Sequence, residues 1–270
     1  MQVRDTTGRA FQFTLLRNRY PHQIEAINAG LLNTQAEFLR QFELVVPREP
    51  PPKSRVPKRE LFFEGAEATW DDILNGLDAH REVTNPFLQE VTKAETGIHC
   101  FSLVGYAGSG KSTLLRRMAC NLALDGRTVY FCKAEHVVDK RAIINFLGSV
   151  EKRRIYLFLD DAINHLDAVD EAAQALSAEA NVTFILADRP YVIYPRVRRL
   201  RRLKPTMLEM PPLEKGDCER IIQKLDQFGM LGDLQGKPLF QQLRQFLGRS
   251  FRGMTAQIFS FHGTASSLTK

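Results

Sequence analysis

The sequence predicts an α/β protein: a doubly wound parallel sheet followed by a small helical domain, with a helical extension in front. Three observations carry this expectation. Continuously apolar segments recur at Cys100–Val104, Ile155–Leu159 and Val182–Ala187. Amphipathic helical segments separate them. A glycine-rich turn joins the first of these strands to a helix. Strands without polar alternation are buried on both faces, which is the signature of a parallel sheet between two helical layers. Right-handed crossovers then make the doubly wound arrangement the default.

The elements follow in order. Ile24, Ile27, Leu31, Phe38 and Phe42 fall near helical spacing, so residues 1–46 are expected to form a separate helical element. Residues 47–60 read as a stiff linker, because Pro47 to Pro57 holds five prolines, which exclude a helix. Residues 61–211 form the expected core. Its helices are Lys111–Leu124, with Leu114, Leu115, Met118 and Leu122 on one face, then Lys140–Val150 and Ala168–Ala178. Thr128–Cys132 is a further strand. Residues 212–262 change to helices alone, marked by Cys218, Ile221, Ile222 and Leu225, then Leu239, Leu243 and Leu247, then a short one over Met254–Phe261. The small, polar tail 263–270 reads as frayed.

Composition narrows the function. With 44% hydrophobic and 25% charged residues, a sizeable core is expected. No apolar stretch of about 18 residues occurs, so no membrane partner is expected. The polar start Met1-Gln2-Val3-Arg4-Asp5 leads to no secretory segment. The four cysteines, Cys100, Cys120, Cys132 and Cys218, form no metal spacing and read as reduced core thiols of a cytoplasmic protein. The net charge of +6 permits an anionic partner.

Gly105-Tyr106-Ala107-Gly108-Ser109-Gly110-Lys111-Ser112-Thr113 fits the phosphate-loop pattern G-x-x-x-x-G-K-[ST], between a strand and a helix. A triphosphate needs many converging donors. Glycines at 105, 108 and 110 are expected to adopt positive φ and turn N–H groups inward. The helix starting near Lys111 directs its positive end at the anion. Lys111 is positioned to reach the β- and γ-phosphates, and the Ser112 hydroxyl to bind Mg²⁺.

The strand Ile155–Leu159 delivers Asp160 and Asp161 at the end where ligands bind such sheets. Asp160 is expected to hold Mg²⁺ through water, and Asp161 to orient or deprotonate the attacking water; a plain helix cap is the bland alternative. The strand from Val182 ends in Ala187-Asp188-Arg189, where Arg189 is placed to stabilise charge or sense the γ-phosphate. Arg196 to Lys204 carries six basic residues and no acid, with Val197, Leu200 and Leu203 at spacings of three; a solvated face, a neighbouring subunit's nucleotide and nucleic acid all fit. Phe63 and Trp70 are candidates to stack on a base.

This order of elements resembles the additional-strand class of P-loop NTPases. Within it, the strands closing in Asp160-Asp161 and near Arg189-Pro190, and the junction Pro212-Leu213-Glu214, are similar to the STAND NTPases, the NACHT and NB-ARC-like signalling ATPases. Phe62-Phe63-Glu64-Gly65 is loosely similar to the segment these proteins place over adenine, and Gly236-Lys237-Pro238 matches their Gly-x-Pro letters, which a helix-opening loop also explains. The resemblance spans roughly residues 61–261. It implies ATP with Mg²⁺, slow hydrolysis, ATP and ADP as alternating ligands, self-association through the core, and a partner effector or sensor, in bacteria often within antiviral defence. The long sensor repeats usual after such a core do not follow within these 270 residues, so a fragment or a stripped-down member is expected. The competing readings are an AAA+-like ATPase acting on nucleic acid, a scaffold that binds ATP without hydrolysis, and a small-molecule kinase.

Overall fold

The computed structural model describes residues 35–46, 59–94, 96–133, 138–150, 154–177 and 180–247. Six strands form one sheet: β1 (Phe42–Leu44), β2 (Ile98–Val104), β3 (Thr128–Cys132), β4 (Ile155–Leu159), β5 (Val182–Asp188) and β6 (Thr206–Glu209), in the order β1-β3-β4-β5-β2-β6. All pairings are parallel except β1 with β3, which is antiparallel with Phe42 opposite Cys132. The expected doubly wound core is present. The strand that follows Asp160-Asp161 in sequence lies between them and the phosphate loop in space. β5 pairs with β2 on one side and with β4 on the other, so the three strand tips that carry the candidate residues adjoin.

The helices are α1 (Arg59–Phe63), α2 (Trp70–Leu74), α3 (Thr84–Lys93), α4 (Lys111–Leu124), α5 (Lys140–Ser149), α6 (Leu166–Ala175), α7 (Pro190–Val197), α8 (Lys215–Gln227) and α9 (Leu239–Leu247). One face of the sheet packs on α5 and α6 through Ile143, Phe146, Leu157, Val169 and Phe184. The other packs on α4 through Leu115, Met118, Tyr156, Phe158 and Ile185. A third core joins Cys218, Ile221, Ile222 and Leu225 of α8 to Leu243 of α9, and also to Phe63 and Leu77 from upstream of β2. The helical unit therefore buries its apolar face partly against residues that precede the phosphate loop.

Two strands escape the sequence patterns. The helical spacing through Phe38 and Phe42 ends at Gln41, and Phe42 opens β1 instead. Phe38 stacks on Phe42 and on Phe146, with centroids at 4.5 and 3.8 Å, so the i,i+4 pair reflects packing on the sheet rather than one continuous helix. β6 is four residues long and starts directly after Pro205. Helix α7 stops at Val197, so Leu200 and Leu203 point inward from the following turn. Gly236, at φ +74°, opens the turn before α9, as a helix-opening loop does. Residues 1–34, the whole proline run 47–57, and the expected helix 254–261 lie outside the described residues. Among the described residues no helix is long and apolar enough to cross a membrane.

Candidate functional site

The loop after β2 is open and built from close approaches. Gly108 and Gly110 have φ of +71° and +84°, as the sequence predicts. Gly105 does not adopt positive φ, contrary to expectation. It is needed for space: a Cβ there would sit 2.7 Å from the Ser109 hydroxyl and 2.9 Å from the Met210 Cβ. The Gly105 amide donates to the Asp188 carbonyl (3.3 Å) and the Met210 amide to the Val104 carbonyl (2.7 Å), anchoring the loop between β5 and β6.

Gly110 precedes α4 without a side-chain cap. The first amides of that helix, from Lys111, Ser112 and Thr113, have no acceptor within the helix and are available to an anion at its start. Tyr106 and Ala107 are exposed at its crest. The Ser109 hydroxyl is buried and has no hydrogen-bond partner among the described residues. The Lys111 ammonium lies across the loop, donating to the Tyr106 carbonyl at 3.0 Å. Burial, chiefly, lowers its pKa, and Arg189 adds to this, while Asp160, Asp188 and Asp161 oppose it. An ammonium partly stripped of water and held by a single carbonyl has donors to spare for an anion.

The carboxylates behave differently. Asp160 accepts a hydrogen bond from the Ser112 side chain. Burial raises its pKa above the usual carboxylate range, with the Ser112 hydroxyl and the Asp161 amide opposing the shift. A desolvated carboxylate beside a hydroxyl is a donor set of the hard-oxygen type that a magnesium ion takes. Asp161 is exposed and sits in the left-handed region at φ +46°, alone among the described non-glycine residues. Strain of this kind concentrates at functional sites. No side-chain cap hydrogen bond from Asp161 is found at the short helix that follows, so capping does not account for it.

Arg189 is exposed at the tip of β5 and donates to the Tyr191 hydroxyl (3.0 Å). That bond is the first cause of its raised pKa, ahead of the nearby charges of Asp161 and Asp188. The neighbouring Asp188 takes a role the sequence did not single out. It is buried, and accepts from the Ile163 amide (2.8 Å) and from the Arg189 amide (2.7 Å). It thereby ties the loop after Asp160-Asp161 to the end of β5.

Three features beside the loop were not legible in the sequence. Arg81 is buried and donates to Asp217 of α8 (2.9 Å), to the Ser109 carbonyl (3.3 Å) and to the Pro211 carbonyl (3.1 Å). Arg117 of α4 pairs with the buried Asp78 and donates to the Ile73 carbonyl (2.6 Å). A cleft of about 570 Å³, its open mouth included, lies between Phe62, Leu77, Thr84, Gly110, Thr113 and Ile221. The Thr84 hydroxyl is buried beside it without a hydrogen-bond partner among the described residues. Phe63 lines the same cleft, whereas Trp70 packs edge-on against Phe131 elsewhere.

A family model described as Novel STAND NTPase 5 matches residues 60–194, from α1 through the phosphate loop and both candidate acidic tips into α7. The chain belongs to the STAND NTPases. No curated protein sequence matches this STAND NTPase. Among solved structures it is similar to S. cerevisiae Hsp104 in a casein complex, extended conformation, with a TM-score of 0.52 and 15% identity. That match covers 74% of the STAND NTPase and 41% of the Hsp104 chain, so the NTPase spans less than half the length of that relative. At this identity the likeness concerns the fold, which it extends beyond the family match.

Proposed function

We propose that this STAND NTPase binds ATP with Mg²⁺ at the Gly105–Thr113 loop, hydrolyses it slowly, and uses the exchange as a signalling or oligomerisation switch. The observation that carries the switch reading is the Arg81 guanidinium, which bonds the phosphate loop, the Pro211 junction and the helical unit at once. A loop that changes on binding phosphates shifts the position of Arg81, and with it the seat of α8. Nucleotide shifts the two placements of the helical unit only by its differential affinity for them.

The residues divide the work. The α4 amides and Lys111 bind the phosphates; Ser112 and Asp160 would hold the metal, which offsets phosphate charge when bound. Asp161, exposed and unconstrained by a cap, orients or deprotonates water, and Arg189 would meet developing charge once released from Tyr191. The largely apolar cleft beside Gly110 is the candidate seat of the nucleobase, flanked by Phe62 and Phe63. Self-association through the core and an effector or sensor partner belong to the same reading.

The Asp161→Asn variant tests the hydrolytic assignment. Retained ATP binding with phosphate release reduced by at least about a hundredfold, the lower range for a lost general base, supports it. Full release would show that Asp161 is not the base. A scaffold without hydrolysis would show no product in a single turnover of the unmodified chain.

A further inference from the structure

The basic stretch that begins in the last turn of α7 takes no part in the nucleotide site. Arg196, Arg198, Arg199, Arg201, Arg202 and Lys204 are all exposed. None of the six makes a side-chain hydrogen bond, ion pair or ring contact with the described residues. Six like charges within nine residues repel one another, so their convergence costs stability unless the backbone is held.

The backbone is held from within. The buried Asp170 of α6 accepts from the amides of Arg201, Arg202 and Leu203, each at 3.0 Å. Burial alone would raise the Asp170 pKa, but these amides and Gln174 outweigh it and lower the pKa. Val197 and Leu200 pack against the core, and Leu203 is 3% exposed. The result is a turn whose backbone is anchored on Asp170 and on its apolar residues, with its cations exposed to solvent.

The chemistry of the patch selects among anionic partners. Five of the six cations are arginine, whose planar fork matches phosphate oxygens and is always charged. The centre of a protein interface is depleted of charged residues. The exposed large hydrophobics nearest in sequence are Tyr191 and Leu239, and none falls within 196–204. The lack of an aromatic in the stretch also removes the base-stacking platform on which single-strand binding relies. A dense, aromatic-free row of arginines suits the regular charge of a double-stranded phosphate backbone.

We propose that Arg196–Lys204 is a sequence-independent binding site for the phosphate backbone of a nucleic-acid duplex. The test uses the full chain and fluorescence anisotropy with a labelled blunt DNA duplex, the equivalent RNA duplex and a single strand of the same sequence, over a salt series. Duplex binding is expected, tighter than single-strand binding, with the two duplexes showing which source of phosphates is preferred. The Arg198→Gln/Arg199→Gln/Arg201→Gln/Arg202→Gln variant is expected to lose at least about tenfold in affinity. Its log K against log salt slope is expected to fall by about 0.9 for each phosphate contact removed. The four corresponding Arg→Lys changes are expected to retain most of the slope. Melting temperature stays unchanged in the lysine variant and does not fall in the glutamine variant, ATP affinity is unchanged in both, and Lys111→Ala keeps duplex binding, which separates this site from the nucleotide reading. Unaltered duplex affinity in the glutamine variant, single-strand preference, or equal displacement by polyglutamate at matched charge would overturn the proposal.

Discussion

Replacing Arg81 probes the connection between phosphate loop and helical unit. In the folded chain Arg81 and Asp217 form a buried pair with side chains 7% and 2% exposed. Arg81→Ala leaves the Asp217 carboxylate in place with the Glu82 amide (3.0 Å), Arg220 (2.8 Å) and a long contact from the Glu214 amide (3.4 Å). Breaking a buried pair by removing one partner costs about 3–5 kcal/mol. Because Arg220 still faces the carboxylate, the expected loss lies near the lower end, about 3 kcal/mol. Arg81→Met/Asp217→Leu removes both charges and leaves neither stranded, so it is expected to cost less than the sum of the single changes.

The pH dependence follows from the same pair. Burial raises the Asp217 pKa, but the Glu82 amide, Arg81 and Arg220 outweigh it, so the folded pKa lies below the unfolded carboxylate value. Its stabilisation is present above the unfolded pKa and is lost as pH falls through the folded one. Arg81→Ala should therefore shrink the difference in stability between neutral and acid conditions. Urea unfolding of Arg81→Ala and of the four proteins of the Arg81→Met/Asp217→Leu cycle, at neutral and acid pH, measures both effects. A cost below about 1 kcal/mol for Arg81→Ala, the range of a solvent-screened pair, would refute the assignment of a buried clasp.

Two further variants address the loop. Gly105→Ala places a methyl group against the Ser109 hydroxyl and Met210, so thermal unfolding should show a loss of about 1–3 kcal/mol together with weaker nucleotide binding. An unaffected protein would mean that the close approach is easily relaxed. Asp160→Asn removes a charge whose burial raises its pKa, a charge that costs stability above the unfolded pKa. Unfolding without nucleotide at neutral pH should therefore show equal or greater stability, while the magnesium dependence of ATP binding disappears in a titration with and without the metal. A destabilised protein that keeps its metal response would contradict the role given to Asp160.

The sequence is informative where one segment suffices. The strand–loop–helix from Ile98 through Leu124 is local, its strand mostly apolar and its glycines spaced by the loop itself. The same holds for β4 with Asp160-Asp161, although Asp188 was passed over for its neighbour because a buried carboxylate bonding two amides leaves no pattern in the chain. Arg81 and Asp217 are 136 positions apart, and neither belongs to a periodic segment that would announce the pair. The cleft draws Phe62 and Thr84 from before the loop and Ile221 from after the sheet, so only the fold assembles it. β1 is hidden for another reason: Phe38 and Phe42 satisfy helical spacing and stacked sheet packing alike.

Calorimetric titration of the unmodified chain and of Lys111→Ala with ATP and Mg²⁺ tests the central claim most directly. A charge-assisted hydrogen bond contributes about 1.5–3 kcal/mol, so the variant should bind roughly ten- to a hundredfold more weakly. It should unfold at an unchanged temperature, since among the described residues the Lys111 ammonium donates only to the Tyr106 carbonyl. Equal affinity in the two proteins would contradict the placement of a triphosphate at this loop.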